Sequence, residues 1–230
     1  MLYELRKYEV MPGRMPALLD RFATFTTLKW KEYDVRLTGF WTPEIGGHNH
    51  QLIYILAWNS LEERFKNFGA WQASPERAKK WAETEANGPL VRRVDNSLHE
   101  PTAFSQLDNG IPYGPAASGR SPYYFELREY DAAPGKLPNV VKRFGGFTID
   151  CFKKYGFRQV GYWTPLIAGS NQRLTYILAW ESHEERIKQF KAFRADPDRV
   201  RVFAESEKDG VLVERVTSTM LEAAAFSPMK

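Results

Sequence analysis

The sequence predicts an α+β fold in which two ferredoxin-like βαββαβ units close their sheets on one another as an α/β barrel. Two observations carry this. Sliding the chain by 122 positions aligns 3–105 with 125–227 without a gap and leaves 49 of 103 positions identical, so whatever one half forms the other forms too. Within each half, segments of period two and of helical period follow one another in the ferredoxin-like order. Such a unit covers one sheet face with helices and leaves the other bare, and the simplest cover for that face is its twin. We divide the chain into a first domain, 1–105, a linker, 106–122, and a second domain, 123–230.

Each half opens on an alternating run, Tyr3-Glu4-Leu5-Arg6-Lys7-Tyr8 or Phe125-Glu126-Leu127-Arg128-Glu129-Tyr130, which predicts a strand. Pro12-Gly13 and Pro134-Gly135 end it. A long helix follows, with Met15, Leu19, Phe22, Thr26, Trp30 and Tyr33 on one stripe. In the second half Gly145-Gly146 interrupts this helix, which predicts a close approach or a bend, packing being the favoured reading. The hairpin comes next. Gly39-Phe40-Trp41-Thr42-Pro43 and Leu52 to Trp58 flank a Gly/Asn turn, and the pattern returns from Gly161 to Trp180.

Ser60-Leu61-Glu62-Glu63 and Ser182-His183-Glu184-Glu185 are capping boxes that start a second helix. Ser74-Pro75-Glu76 and Asp196-Pro197-Asp198 start a third, with a cap residue, proline at the first helical position and an acid in the first turn. Gly88 and Gly210 close it, and the strands at Leu90–Val94 and Leu212–Val216 complete each half. The leftover Gly/Pro/Ser-rich stretch between the halves is a linker, long enough for pairing within one chain or between two. We favour the intrachain barrel.

Composition excludes several classes. Charged residues at 26% and a net charge of +4 without a basic run give no nucleic-acid signature. No apolar run approaches a membrane span, and the start of the chain resembles neither signal nor transit segment. A single cysteine, Cys151, forms no internal disulfide and reads as a half-buried thiol. A reducing cytoplasm is the expected location. The four histidines, His48, His50, His99 and His183, have Ser170, Gln172, Leu221 and Leu61 at their matched positions, so no histidine site is repeated. His48 and His50 alone fall short of a metal's usual ligand count, and no metal is expected. Neither a phosphate-cradling loop nor a nucleophile elbow is present.

The run Glu4-Leu5-Arg6-Lys7-Tyr8, the Pro12-Gly13 turn, Gly39-Phe40-Trp41-Thr42 and the Ala57-Trp58 strand resemble the NIPSNAP family, and the second half repeats the pattern. The resemblance covers nearly the whole chain apart from the linker. It implies two tandem NIPSNAP domains in the dimeric α/β-barrel superfamily, with a cavity between paired sheets and further homo-oligomerisation. That superfamily includes cofactor-free oxygenases of polyketide-like aromatics, lactone isomerases and haem-handling enzymes. NIPSNAP members themselves have largely unassigned biochemistry, and fold alone does not fix function.

For chemistry, alternation divides the first strand into a Tyr3/Leu5 face and a Glu4/Arg6/Tyr8 face. The apolar pair suits the helix-covered side, which points the polar row into the barrel. A carboxylate, a guanidinium and a phenol kept twice on an inward face need pairing or a ligand. The candidate catalytic residues are therefore Glu4, Arg6, Glu126 and Arg128, with the glutamates as proton acceptors if burial raises their pKa. Tyr8 and Tyr130 would hydrogen-bond the ligand. Arg93 and Arg215 are further ligand candidates, as are Trp41, Trp163, Tyr54 and Tyr176 as aromatic walls. The plainer reading makes Glu4 and Arg6 an ion pair that fixes strand register, and the aromatics simple core.

The expected function is binding of a small apolar or anionic ligand between the sheets, with no cofactor, and any turnover is expected to be of the cofactor-free oxygenase or isomerase type. The alternative is a non-catalytic ligand-binding or scaffold protein. An inter-sheet pocket of roughly 300 Å³ or more supports the first, and side chains filling that gap count against it.

Overall fold

A computed structural model describes residues 1–107 and 123–230. The linker stretch 108–122 lies outside the described residues. Eight strands form one closed antiparallel barrel. They are β1 Leu2–Val10, β2 Arg36–Ile45, β3 Gln51–Trp58, β4 Val91–Pro101, β5 Tyr124–Ala132, β6 Arg158–Ile167, β7 Arg173–Trp180 and β8 Val213–Ala223. The order round the barrel is β1-β3-β2-β8-β5-β7-β6-β4, so the seams between the halves are β2–β8 and β4–β6. The pairing is intrachain.

The capping boxes do what their spacing predicts. Ser60 Oγ accepts from Glu63 N and Ser182 Oγ from Glu185 N, starting helices α3, Leu61–Ala73, and α7, His183–Ala195. Helices α4, Pro75–Thr84, and α8, Pro197–Ser206, follow directly. Asp196 caps α8, but Ser74 turns its hydroxyl back onto the Trp71 carbonyl instead.

The first helix of each half is not regular throughout. Between α1, Met15–Arg21, and α2, Thr27–Glu32, the turn Phe22–Thr26 is π-helical, and Phe144–Thr148 repeats it between α5, Leu137–Arg143, and α6, Ile149–Lys154. Thr27 Oγ1 takes up the loosened Phe22 carbonyl at 2.9 Å. Such wide turns concentrate at functional sites, and this one aims Phe22, Thr26 and Trp30 at the same pocket. In the second half a methyl added at Gly145 would stand 3.0 Å from the Phe104 ring, the close contact its glycine predicts.

The barrel interior is packed, not hollow. Tyr3, Leu5, Trp41, Ile53 and Ile55 meet Phe125, Leu127, Trp163 and Ile177 there, and Leu107, Tyr123 and Met229 close one part of it. The expected inter-sheet ligand cavity is thus replaced by core. Gly39 and Gly161 make this packing workable, because a methyl at either would lie 2.2 or 2.5 Å from the ring of Trp41 or Trp163. Where the interior turns polar, the matched residues Lys7 and Glu129 meet at 2.7 Å, and Arg173 joins Glu129 at 2.9 Å.

Two further apolar layers lie between barrel and helices, one per half. The chain ends of the halves are exchanged across the seams. Thr102–Ser105 lies on the second half, where Ser105 Oγ accepts from Tyr162 N, and Ala224–Ser227 lies on the first, where Ser227 Oγ accepts from Phe40 N.

Candidate functional site

The Glu4/Arg6/Tyr8 row faces the helices, opposite to the direction alternation suggested. Both faces of β1 are buried, so the apolar pair had two suitable destinations and took the barrel interior. The polar row is satisfied by α3. Glu4 accepts from Arg64 at 3.0 and 3.1 Å, Arg6 at 2.6 Å, Trp58 Nε1 at 3.1 Å and Asn96 at 3.2 Å. Burial pushes its pKa up, but Arg64 and Arg6 outweigh burial and hold the carboxyl below its ordinary range. Glu126 repeats this with Arg186, Arg128, Trp180 and Ser218, and its pKa is likewise lowered for the same reasons.

A carboxylate with every lone pair taken and a depressed pKa is a poor proton acceptor. Glu4 and Glu126 are therefore the anchors of an ion-pair hub joining sheet to helix. Arg128 is sequestered with Glu126, while Arg6 shares its charge with Glu4 and also reaches a cavity.

That cavity, about 430 Å³, opens between β1, β4 and the helices of the first half. Its aromatic walls are Tyr8, Phe22, Trp30, Phe68, Trp71 and Trp81, and its charged lining is Arg6, Arg21, Arg77, Arg92, Arg93 and Glu85. Arg21, fully buried, gives Nη1 to Glu85 at 2.8 Å and to Thr84 Oγ1 at 3.1 Å, and its guanidinium lies 3.9 Å from the Trp81 ring centre. Arg77 lies 4.3 Å from the same ring, and no acid pairs with it among the described residues. Burial lowers the pKa of Arg77 somewhat, and the charge of Arg21 pushes it the same way. The Arg77 guanidinium still stays charged near neutrality.

Three buried polar atoms on this lining, Arg21 Nε, Thr26 Oγ1 and Trp30 Nε1, have no hydrogen-bond partner among the described residues, as have Arg143 Nε and Arg199 Nε in the second half. Buried polar groups are almost always satisfied, so these donors are available to a molecule that enters the cavity.

The remaining sequence candidates scatter. Tyr8 and Arg93 line the cavity. Tyr54 stands behind Tyr8, accepting from Arg6 Nε at 2.8 Å, and Tyr176 does the same for Arg128 beside Tyr130. Trp41 and Trp163 belong to the barrel core, and Arg215 is an exposed partner of Asp131. Cys151 is buried, its thiol pushed up by burial. His48 and His50 are exposed, and among the described residues no group of three or more His, Cys, Asp or Glu could hold a metal ion. No helix of the described residues is long and apolar enough to cross a membrane.

Arg21, Arg77, Trp81 and Glu85 escaped the sequence reading because charged residues on helices ordinarily face solvent. A signal was available. Of the sixteen lining residues eleven are identical at the matched position, a richer share than the 49 of 103 overall; the exceptions are Trp30, Trp71, Trp81, Gln72 and Arg92.

The same architecture is found in solved proteins. A candidate monooxygenase from Lactobacillus acidophilus superposes with a TM-score of 0.61 at 9% identity, covering 97% of this chain and 94% of its own. An anthrone oxidase-like protein does so with a TM-score of 0.59 at 14% identity, covering 100% and 94%. At such identities the likeness is one of fold, and the fold is the dimeric α/β barrel, here completed within a single chain. A NIPSNAP family protein from Agrobacterium tumefaciens aligns with 46% of this chain and 97% of its own, at 22% identity and a TM-score of 0.42. Among curated proteins nothing matches. The NIPSNAP family matches residues 3–106 and again 125–228, so the chain belongs to that family and carries its domain twice.

Proposed function

We propose that this protein binds a small, flat, anionic molecule of aromatic character in the helix-side cavity of its first half. The observation that carries this is the indole-lined cavity in which Arg21 and Arg77 lie on the Trp81 ring, with no acid paired to Arg77 among the described residues. The lining then offers more positive charge and more free donors than it can use itself, and the surplus suits a ligand that brings acceptors and negative charge. Its size falls within the range of small-molecule sites. Aromatic walls favour a planar ligand body, which stacks on rings at little entropic cost.

Trp30, Trp71 and Trp81 line the site, so occupancy should report itself as tryptophan quenching. Benzoate and salicylate are expected to quench the wild type and raise its melting temperature, and Arg77→Leu to weaken both effects about tenfold or more. A wild type that shows neither quenching nor stabilisation at millimolar probe overturns the proposal.

A second reading is turnover of that ligand by cofactor-independent oxygenation or isomerisation. The monooxygenase and anthrone oxidase descriptions of proteins with this fold support it, and so does a phenol, Tyr8, facing the cavity. Oxygen uptake or a changed product in the presence of hydroxyaromatic ligands would separate this from binding alone.

A further inference from the structure

The connections behind Tyr8 narrow the kind of anion, on the premise that the cavity is an anion site. Arg6 can only donate, and its Nε gives a hydrogen bond to Tyr54 Oη at 2.8 Å. Tyr54 is fully buried. Burial, reinforced by neighbouring Tyr8, pushes its phenol well above the ordinary value, so it keeps its proton. Among the described residues that proton has one acceptor in reach, Tyr8 Oη at 2.9 Å. Tyr8 therefore accepts from behind, and no described residue accepts its own O–H. That group is left to donate into the cavity its ring lines. A relay that starts on a permanent cation and ends at an unused hydroxyl makes the last donor stronger, because each bond polarises the next.

We infer that a ligand oxyanion rests against Tyr8, and that the site takes hydroxyaromatic or enol ligands in ionised form, favouring phenolate or enolate over the neutral molecule. A carboxylate is already ionised at neutral pH, so such a relay changes its affinity and not its protonation. A phenol or enol is different. Tyr8, with Arg21 and Arg77 on the same cavity lining, acts on the equilibrium that releases the ligand's proton to water, and no covalent bond is made or broken beyond that O–H. Trp30 Nε1 and Thr26 Oγ1 add donors on the same wall. Arg6 and Tyr54 do not need to touch the ligand; they act through Tyr8 as positioning residues.

The test uses 4-nitrophenol, whose yellow phenolate reports its own protonation, with 4-nitrobenzoate in parallel as a probe ionised throughout. With protein in excess, the apparent pKa of bound 4-nitrophenol is expected to fall by about one unit, a roughly tenfold preference for the phenolate. Tyr8→Phe keeps the ring contacts with Phe22 and Tyr54 and removes one oxygen. It is expected to abolish most of the shift and weaken phenolate binding about tenfold. Tyr54→Phe leaves the Tyr8 hydroxyl in place without its donor and should give a smaller loss. If 4-nitrobenzoate binds while 4-nitrophenol titrates as it does free in solution, the inference falls and the anion site stands. A full shift retained in folded Tyr8→Phe has the same consequence. If neither probe binds the wild type, the anion site falls too.

Discussion

The helix-side layers of the two halves are built on the same charged frame and differ in their rings. In the first half Arg21 and Arg77 lie 3.9 and 4.3 Å from the centre of Trp81; in the second, Arg143 and Arg199 each lie 4.0 Å from Phe203. Glu85 pairs with Arg21 at 2.8 Å as Glu207 pairs with Arg143 at 2.7 Å. The rings do not follow. Trp30, Trp71 and Trp81 become Phe152, Phe193 and Phe203, and Val35 becomes Phe157, which stacks on Phe152 at 4.3 Å and meets Phe190 at 4.8 Å. The frame recurs in both halves, and Arg199, like Arg77, has no acid partner among the described residues, so the frame alone does not distinguish them. What the first half adds is a cavity lined by indoles, and the Trp30 N–H has no partner among the described residues.

The strongest way to break this comparison is at the shared frame. Glu4→Gln should cost about 3–5 kcal/mol, because it leaves the buried guanidinium of Arg6 and the half-buried one of Arg64 without their carboxylate. Glu126→Gln should cost much the same if the hub is structural in both halves, and chemical denaturation measures both. The acid limb follows from the same groups. Their pKa values are depressed on folding, so the stability they contribute is present above the ordinary carboxylate range and is lost as pH falls through the depressed values.

Next comes Gly39→Ala, which places a methyl against the Trp41 ring inside a packed core and should cost about 3 kcal/mol. Gly161→Ala is its control in the other half.

A smaller effect separates the halves by pH. His99 is buried where the second half has Leu221. Burial pulls its pKa down to about 4, with Lys7 and Arg173 pushing the same way and Glu129 opposing. The folded state thus binds its proton less readily than the unfolded chain does. Stability from this group is complete above the ordinary histidine value of about 6.5 and drains away towards pH 4, by roughly 2 kcal/mol at pH 5. His99→Leu should remove that part of the acid sensitivity in thermal melts at pH 5 and 7.5. The smallest expected change is Arg199→Leu, which should leave quenching of the first-half tryptophans by benzoate within about twofold. A tenfold loss there would move the anion site to the second half.

Much of the fold was legible because its signals are local and occur twice. The Ser60 and Ser182 caps act within a few residues of themselves, and the 122-residue period repeats each such local reading in the other half. The closeness of Gly39 and Gly161 to the rings of Trp41 and Trp163 appears only in the structure. The facing of β1 was not. Alternation separates Tyr3/Leu5 from Glu4/Arg6/Tyr8, but which face meets the helices depends on Arg64, sixty positions away, bringing a countercharge to Glu4. The site suffered similarly. Tyr8 and Arg93 were in view from the strands, whereas Arg21 and Arg77 sit on helices whose burial is decided by the π-helical turn and by Trp81 lying between them.

The contact of Lys7 with Glu129 has a consequence for what the tandem chain is. Matched positions that touch must lie beside the pseudo-twofold axis, so two first halves closing on each other would set ammonium against ammonium, and two second halves carboxylate against carboxylate. Fusion frees the axis from having to suit itself. Each half is thereby made a better mate for its sibling than for its own likeness.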